Sequence, residues 1–213
     1  MEKIIKNMIR CKKCGDIIES THCHDFKRCS CGAVAVDGGK EYIRRCGHAE
    51  NWEELSECKP MIKILFVCHG NICRSPMAEF VMKDLVQREG LAERFEIASA
   101  ATSTEEIGSP VYPPVRRLLN AHGIDCSGKT ARQLTRADYD RYDWLIGMDR
   151  ANFRNMHRIC GGDEAGKIHL LLDFTDRGGE VADPWYTGNF DATWRDAQEG
   201  CRGLLHAILS EEN

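Results

Sequence analysis

Two sets of cysteines carry most of the chemistry this chain could do. In Val67-Cys68-His69-Gly70-Asn71-Ile72-Cys73-Arg74-Ser75-Pro76, five residues separate a cysteine from an arginine. A loop of that length, wrapped from Cys68 to a helix N-terminus, turns its backbone N–H groups inward. It makes an anion cradle under the positive end of the helix dipole. Gly70 and Asn71 tolerate the left-handed backbone such a wrap needs. Arg74 at the lip can grip two phosphate oxygens at once. The same field favours a Cys68 thiolate, to which Ser75 can donate a hydrogen bond. A thiolate beneath a phosphate monoester is set for in-line attack, and the leaving group then needs a proton. Asp183-Pro184-Trp185-Tyr186 is the expected source. Asp183 would protonate the departing oxygen, then deprotonate the water that hydrolyses the phosphocysteine. Backbone amides and Arg74 stabilise the charge, so catalysis requires no cofactor.

The second set lies near the N-terminus. Cys11-Lys12-Lys13-Cys14-Gly15 and Cys29-Ser30-Cys31-Gly32 offer two thiol pairs. Four thiolates suit one tetrahedral zinc ion, and the glycines permit the tight turns. The pattern resembles a zinc-ribbon or rubredoxin-like knuckle pair, although the second pair is C-x-C rather than C-x2-C. The expected ligands of a structural zinc are Cys11, Cys14, Cys29 and Cys31. His22, Cys23, His24, Cys46 and His48 are further donors nearby. A set drawing on Cys46 and His48, or a reduced-thiol fold without metal, stays open.

The chain has 213 residues with 29 Lys+Arg against 33 Asp+Glu, a net charge of -4 that gives no global pull toward nucleic acid or acidic lipid. No apolar run is long enough to span a membrane, and the N-terminus shows no apolar signal core. A cytoplasmic protein is expected, and in that compartment cysteines more often bind metal or react than pair as disulfides. Composition changes at Lys59-Pro60: all six prolines lie from Pro60 onward, while seven of the 12 cysteines precede it. The expected organisation is a Cys-rich module over 1–47, a linker or short helix over 48–60, and a catalytic domain over 61–213. A segment as small as the first commonly needs metal to hold it.

After Met61 the hydrophobic pattern predicts strands at 62–67, 95–98, 143–148 and 167–172. Ser75-Pro76 reads as an N-cap and first helical position. Helices are predicted from there to near Gly90, over 115–121, and at the C-terminus, where Trp194, Ala197, Cys201, Leu204 and Ile208 share one face. Strands alternating with helices give an α/β fold, a parallel sheet with helices on both faces and its site beyond the carboxyl ends of the strands.

VCHGNICRSPMAE resembles the signature of the low-molecular-weight protein tyrosine phosphatases. Ser99-Ala100-Ala101-Thr102-Ser103, Ala131-Arg132-Gln133, Met148-Asp149 and Asp183-Pro184-Trp185-Tyr186 follow in that family's order. The resemblance covers about residues 61–210 and implies a four-stranded parallel sheet and hydrolysis through a phosphocysteine. It implies Cys68 as nucleophile, Arg74 as phosphate clamp and Asp183 as general acid. His69, Gly70, Asn71, Ile72, Cys73, Ser75, Trp185 and Tyr186 are the implied substrate-binding set. Asn71, Ser75 and Ser99 brace the loop. Two departures stand out. Gly128-Lys129-Thr130 replaces a histidine that helps brace the loop, and Thr104-Glu105-Glu106 replaces an aromatic wall. Cys73 either packs or, as the resemblance implies, traps an oxidised Cys68 in a reversible disulfide. Asp149 is expected to be a structural cap.

The leading expectation is a protein-tyrosine phosphatase acting on a phosphotyrosine protein or peptide. The alternative is a protein-arginine phosphatase, against which the apolar Ile72 argues. A remoter one is a thiol-coupled arsenate reductase, which needs a resolving cysteine pair, whereas Cys126, Cys160 and Cys201 are widely spaced. No nucleic-acid or membrane partner is expected. The N-terminal module could dock a protein partner.

Overall fold

The structure is a computed structural model and describes residues 2–211. The chain divides into two compact units, Met1–Met61 and Ile62–Asn213.

In the first unit, eight short strands form three small antiparallel sheets. They are β1 (Glu2–Lys6), β2 (Met8–Cys11), β3 (Ile17–Glu19), β4 (Lys27–Arg28), β5 (Ala35–Asp37), β6 (Arg44–Cys46), β7 (Trp52–Glu54) and β8 (Glu57–Pro60). Their orders are β1-β8, β3-β2-β7 and β4-β5-β6. The apolar cluster is small: Ile9, Cys11, Cys29, Val34 and Val36, with Ile18, Ala33 and Trp52 against it. A polar anchor supplements it. The buried Asn7 amide donates to the carbonyls of Asp37, Gly39 and Tyr42 at 3.0, 2.9 and 3.1 Å.

The stretch 48–60 is neither a helix nor a linker. After a 3-10 turn at Ala49–Asn51 it supplies β7, paired with β2, and β8, paired with β1. Trp52 sits opposite Cys11, so the polar sequence carries one aromatic that the small core needs. Its charged residues face outward along strand edges, a pattern that reads from sequence as solvated chain.

The second unit carries β9 (Ile62–Cys68), α1 (Arg74–Arg88), β10 (Phe95–Ala101), α2 (Pro113–Ala121), α3 (Arg136–Arg141), β11 (Trp144–Gly147), α4 (Arg150–Cys160), β12 (Ile168–Leu170), α5 (Pro184–Thr187) and α6 (Phe190–Glu211). The sheet runs β10-β9-β11-β12 and every pair is parallel. Successive β9 side chains enter opposite clusters. Ile62, Ile64, Phe66 and Cys68 join the residues of α1 and α6, whereas Leu65 and Val67 join those of α4. A strand buried on both faces is why this run shows no polar alternation. The alternation also assigns Cys68 to the α1 side.

Two predicted details differ. Ser75 lies inside α1 and the N-cap is Cys73, because the loop, rather than a capping hydroxyl, delivers the chain to the helix. The fourth strand stops at Leu170 and continues as a 3-10 turn over Leu171–Phe174, against which α6 packs closely. The helices α3 and α4 lie in sequence too polar for the apolar pattern to reveal.

Candidate active site

Cys68 ends β9 at the carboxyl edge of the sheet, opposite Ala101 of β10. The chain turns through Asn71, whose φ of +58° is the left-handed conformation that asparagine tolerates. It then enters α1 at Arg74. The Asn71 N–H donates to Cys68 Sγ at 3.2 Å, and Ser75 Oγ lies 3.0 Å from the same sulfur. The Asn71 amide in turn donates to Ser75 Oγ at 2.9 Å and to Ser99 Oγ at 2.7 Å. Thus Asn71, Ser75 and Ser99, each 1% exposed or less, form one buried network beneath the sulfur.

Arg74 is 3% exposed. Its Nη1 donates to Asp149 Oδ2 at 2.5 Å and to the Val181 carbonyl at 3.3 Å, while Nη2 donates to Asp183 Oδ2 at 2.5 Å. Burial works against the guanidinium charge, but Cys68 and the two aspartates outweigh it and raise the Arg74 pKa. Asp149 does what the sequence suggests and more. Its Oδ1 caps α4 by accepting from the Asn152 N–H at 2.6 Å, while Oδ2 holds Arg74. Asp183 caps α5 by accepting from the Trp185 N–H at 3.0 Å.

These groups bound a solvent-open cavity of about 170 Å³ with Cys68 and Arg74 in its lining and Ile72, Asp183, Trp185 and Tyr186 around it. Glu105 and Glu106 form part of the wall. His69 is exposed, and its Nε2 lies 3.0 Å from Glu105 Oε2 at the mouth. Cys73 is buried. Desolvation, with Cys68 and Asp183 adding to it, pushes its thiol up to about 12.

Sequence reasoning missed Glu79. It is 3% exposed on α1, accepts from Ser99 Oγ at 2.5 Å and pairs with Lys83 and Lys129. The available signal was a carboxylate interrupting the apolar stripe of α1, one turn after Ser75. Lys129, noticed only as a departure, donates to Asn71 Oδ1 at 2.9 Å.

In the first unit, the sulfurs of Cys11, Cys14, Cys29 and Cys31 all lie within 4.8 Å of one another. The Sγ–Sγ distances are 3.7 Å for Cys11–Cys31 and 3.5 Å for Cys29–Cys31. Zn–S bonds of about 2.3 Å require tetrahedral edges of about 3.8 Å, so the donor set fits a tetrahedral ion. The Asp16 backbone N–H beside Cys14 draws that thiol down to about 6. Among the described residues, His22, Cys23, His24, Cys46 and His48 do not join the cluster.

Comparison with known proteins agrees with this geometry. The family model described as low molecular weight phosphotyrosine protein phosphatase matches residues 63–213. A domain of unknown function, DUF7695, matches residues 3–47. The low molecular weight protein-tyrosine-phosphatase YfkJ of Bacillus subtilis is 38% identical over 154 residues, which are 71% of this chain and 99% of that protein. The crystal structure of YfkJ superposes with a TM-score of 0.70 at 37% identity, over 73% of this chain and 99% of that one. The structure of SP-PTP from Streptococcus pyogenes gives 0.62 at 39% identity, over 71% and 96%. By its sequence match and its fold together, the chain belongs to the low molecular weight phosphotyrosine protein phosphatase family.

Proposed function

We propose that this chain is a protein-tyrosine phosphatase that works through a phosphocysteine on Cys68. The observation that carries the reading is the Cys68 sulfur at the cavity floor, with the buried Arg74 tied to Asp183 beside it. The phosphate of the substrate lies on the loop N–H groups and the Arg74 guanidinium. The Cys68 thiolate attacks phosphorus along the line of the P–O bond. Asp183 gives its proton to the departing tyrosyl oxygen, then takes one from the water that releases phosphate. Ser75 and Asn71 stabilise the sulfur anion when it leaves. The Ile72, Trp185 and Tyr186 side chains supply an apolar wall for a phenyl ring.

The test uses matched phosphotyrosine and phosphoarginine peptides in EDTA, beside Cys68→Ser. Turnover of phosphotyrosine that persists in EDTA and vanishes in Cys68→Ser supports the proposal. Preferential turnover of phosphoarginine moves the chain to the alternative specificity. No turnover of either by folded, reduced protein removes the activity.

The first unit we assign as a structural zinc module. Cys11, Cys14, Cys29 and Cys31 would hold the ion, which would cross-link strands that bury few apolar residues of their own. Native mass spectrometry of the zinc-loaded full chain should show one zinc, absent from Cys11→Ser. A wild-type chain that emerges metal-free from zinc-containing buffer overturns the assignment. No helix among the described residues is long and apolar enough to cross a membrane. The thiol-rich composition fits a cytoplasmic setting, and a protein partner docking on the module is compatible with its exposed Ile17 and Phe26.

A further inference from the structure

Asp183 stands on a segment with few anchors of its own. The helix after it, α5, has four residues, and Trp185 and Tyr186 are 56% and 85% exposed. Beyond the Arg74 contacts, Thr193 Oγ1 donates to the Ala182 carbonyl at 3.4 Å, and the anchor past Asp183 is aromatic. The Trp185 ring lies 5.1 Å from that of Tyr112, tilted by 58°. Tyr112 stacks in turn on Phe190, the first residue of α6, at 6.0 Å and 29°. Both geometries fall within the range that aromatic pairs favour. The Tyr112 backbone N–H also donates to the Ile72 carbonyl at 2.9 Å. One residue therefore touches the loop that cradles phosphate, the segment that carries the expected acid, and the start of the last helix.

We propose that Tyr112 is a positioning residue that sets the reach of Asp183 toward the leaving oxygen by carrying Trp185 on its ring. The proposal rests on the reading of Asp183 as general acid. The segment is tied to the end of β11 before the acid, where the Val181 N–H donates to the Met148 carbonyl at 2.8 Å; past the acid, the backbone bond of Tyr112 to Ile72 references the aromatic stack to the phosphate loop, so Asp183 is held toward the phosphate from both sides. Proton transfer needs a donor within hydrogen-bond reach, and displacement of about 1 Å is costly. The Asp183–Arg74 pair cannot set that distance alone, because the bound phosphate competes for the same guanidinium.

A misplaced acid harms only reactions that need it. The experiment is therefore kcat/KM for aryl phosphates with poor and good leaving groups, phenolate against dinitrophenolate, in Tyr112→Leu and Tyr112→Phe. Since general acids contribute about 10²–10⁴-fold, Tyr112→Leu should lose about tenfold or more on the phenyl ester. It should lose much less on the dinitrophenyl ester. Tyr112→Phe keeps the ring and should behave as wild type. Phe190→Leu, which removes the outer ring of the stack, gives a second route should Tyr112→Leu fail to fold. Equal losses on both esters, or none on either, overturn the proposal. Asp183→Asn separates it from the reading beneath: if that variant shows no leaving-group-dependent loss, the assignment of the acid fails instead.

Discussion

Lys129 Nζ donates to Asn71 Oδ1 at 2.9 Å, the same oxygen that accepts from the Arg132 N–H at 3.2 Å. The lysine also donates to the Thr130 carbonyl at 2.8 Å and lies 3.9 Å from Glu79 Oε2. Burial lowers its pKa, yet it faces the most buried carboxylate of the network. Lys129 thus links Asn71 to Glu79 within the bracing network.

Lys129→Met should reduce stability by about 1–3 kcal/mol, because it removes the charge-assisted hydrogen bond to Asn71 and leaves the buried Glu79 with Lys83 alone of its two lysine partners. It should also lower kcat/KM by roughly tenfold, since each kcal/mol misspent in holding the loop appears in the barrier. Urea unfolding and steady-state kinetics check the two effects. A variant with wild-type values in both would show that Asn71 holds its left-handed conformation unaided.

Glu105 and Glu106 make an acidic wall beside a site that must accept a dianion. Phosphotyrosine peptides with lysine or arginine next to the phosphotyrosine should be preferred over those with aspartate or glutamate, by about fivefold, as exposed charge pairs are each worth under about 1 kcal/mol. The preference should shrink in about 1 M salt, where the Debye length falls to about 3 Å. The double substitution Glu105→Gln with Glu106→Gln should abolish it. A ratio unchanged by salt and by these substitutions would assign the preference elsewhere.

Because burial pushes Cys73 up to about 12, it stays a neutral thiol through the physiological range. At pH 7, iodoacetamide should label Cys68 and leave Cys73 unmodified, as peptide mapping would show. The same shift has a stability consequence. A thiol protonated in the folded state at a pH where the unfolded chain has ionised, above about 8.5, favours unfolding as pH rises. Cys160, pushed up to about 11 by burial, acts in the same direction. The contribution of these two thiols should be constant below about pH 8 and decline progressively from there toward pH 11–12. Cys73→Ala should flatten part of that decline.

Gly203 lies inside α6, where helix propensity alone favours alanine by about 0.5–1 kcal/mol. A Cβ there would stand 1.9 Å from the Phe174 carbonyl oxygen. Gly203→Ala should therefore destabilise the protein by about 1–3 kcal/mol, reversing the sign that propensity predicts. Thermal unfolding decides between the two. Gly200, whose Cβ would meet Leu171 Cγ at 2.5 Å, should behave alike.

Much of the second unit could be read before any coordinates. A strand buried on both faces is a continuous apolar run, so β9 was visible, and the following Gly-Asn and Ser-Pro marked a loop entering a helix. The buried face of α6 was visible because five large or small apolar residues recur at helical spacing. By contrast, α3 and α4 escaped because they expose most of their surface and their starts depend on capping by Thr135 and Asp149. The 48–60 stretch escaped for a related reason. Its strands are short edges exposed but for the half-buried Trp52, and the buried Asn51 lies in the 3-10 turn before them, too little to form a pattern.

The sequence by itself determined the residue types of the site, the order in which they occur and which four of the seven thiols of the first unit cluster, because close spacing along a short loop constrains geometry directly. Only the tertiary structure decided which distant groups meet. Asp149 reaches Arg74 across 75 positions, Lys129 reaches Asn71 across 58, and Tyr112 stacks on Trp185. Those contacts depend on how the segments after β9, β10, β11 and β12 converge at one edge of the sheet. That convergence follows from strand order and packing, which leave no local trace in the chain.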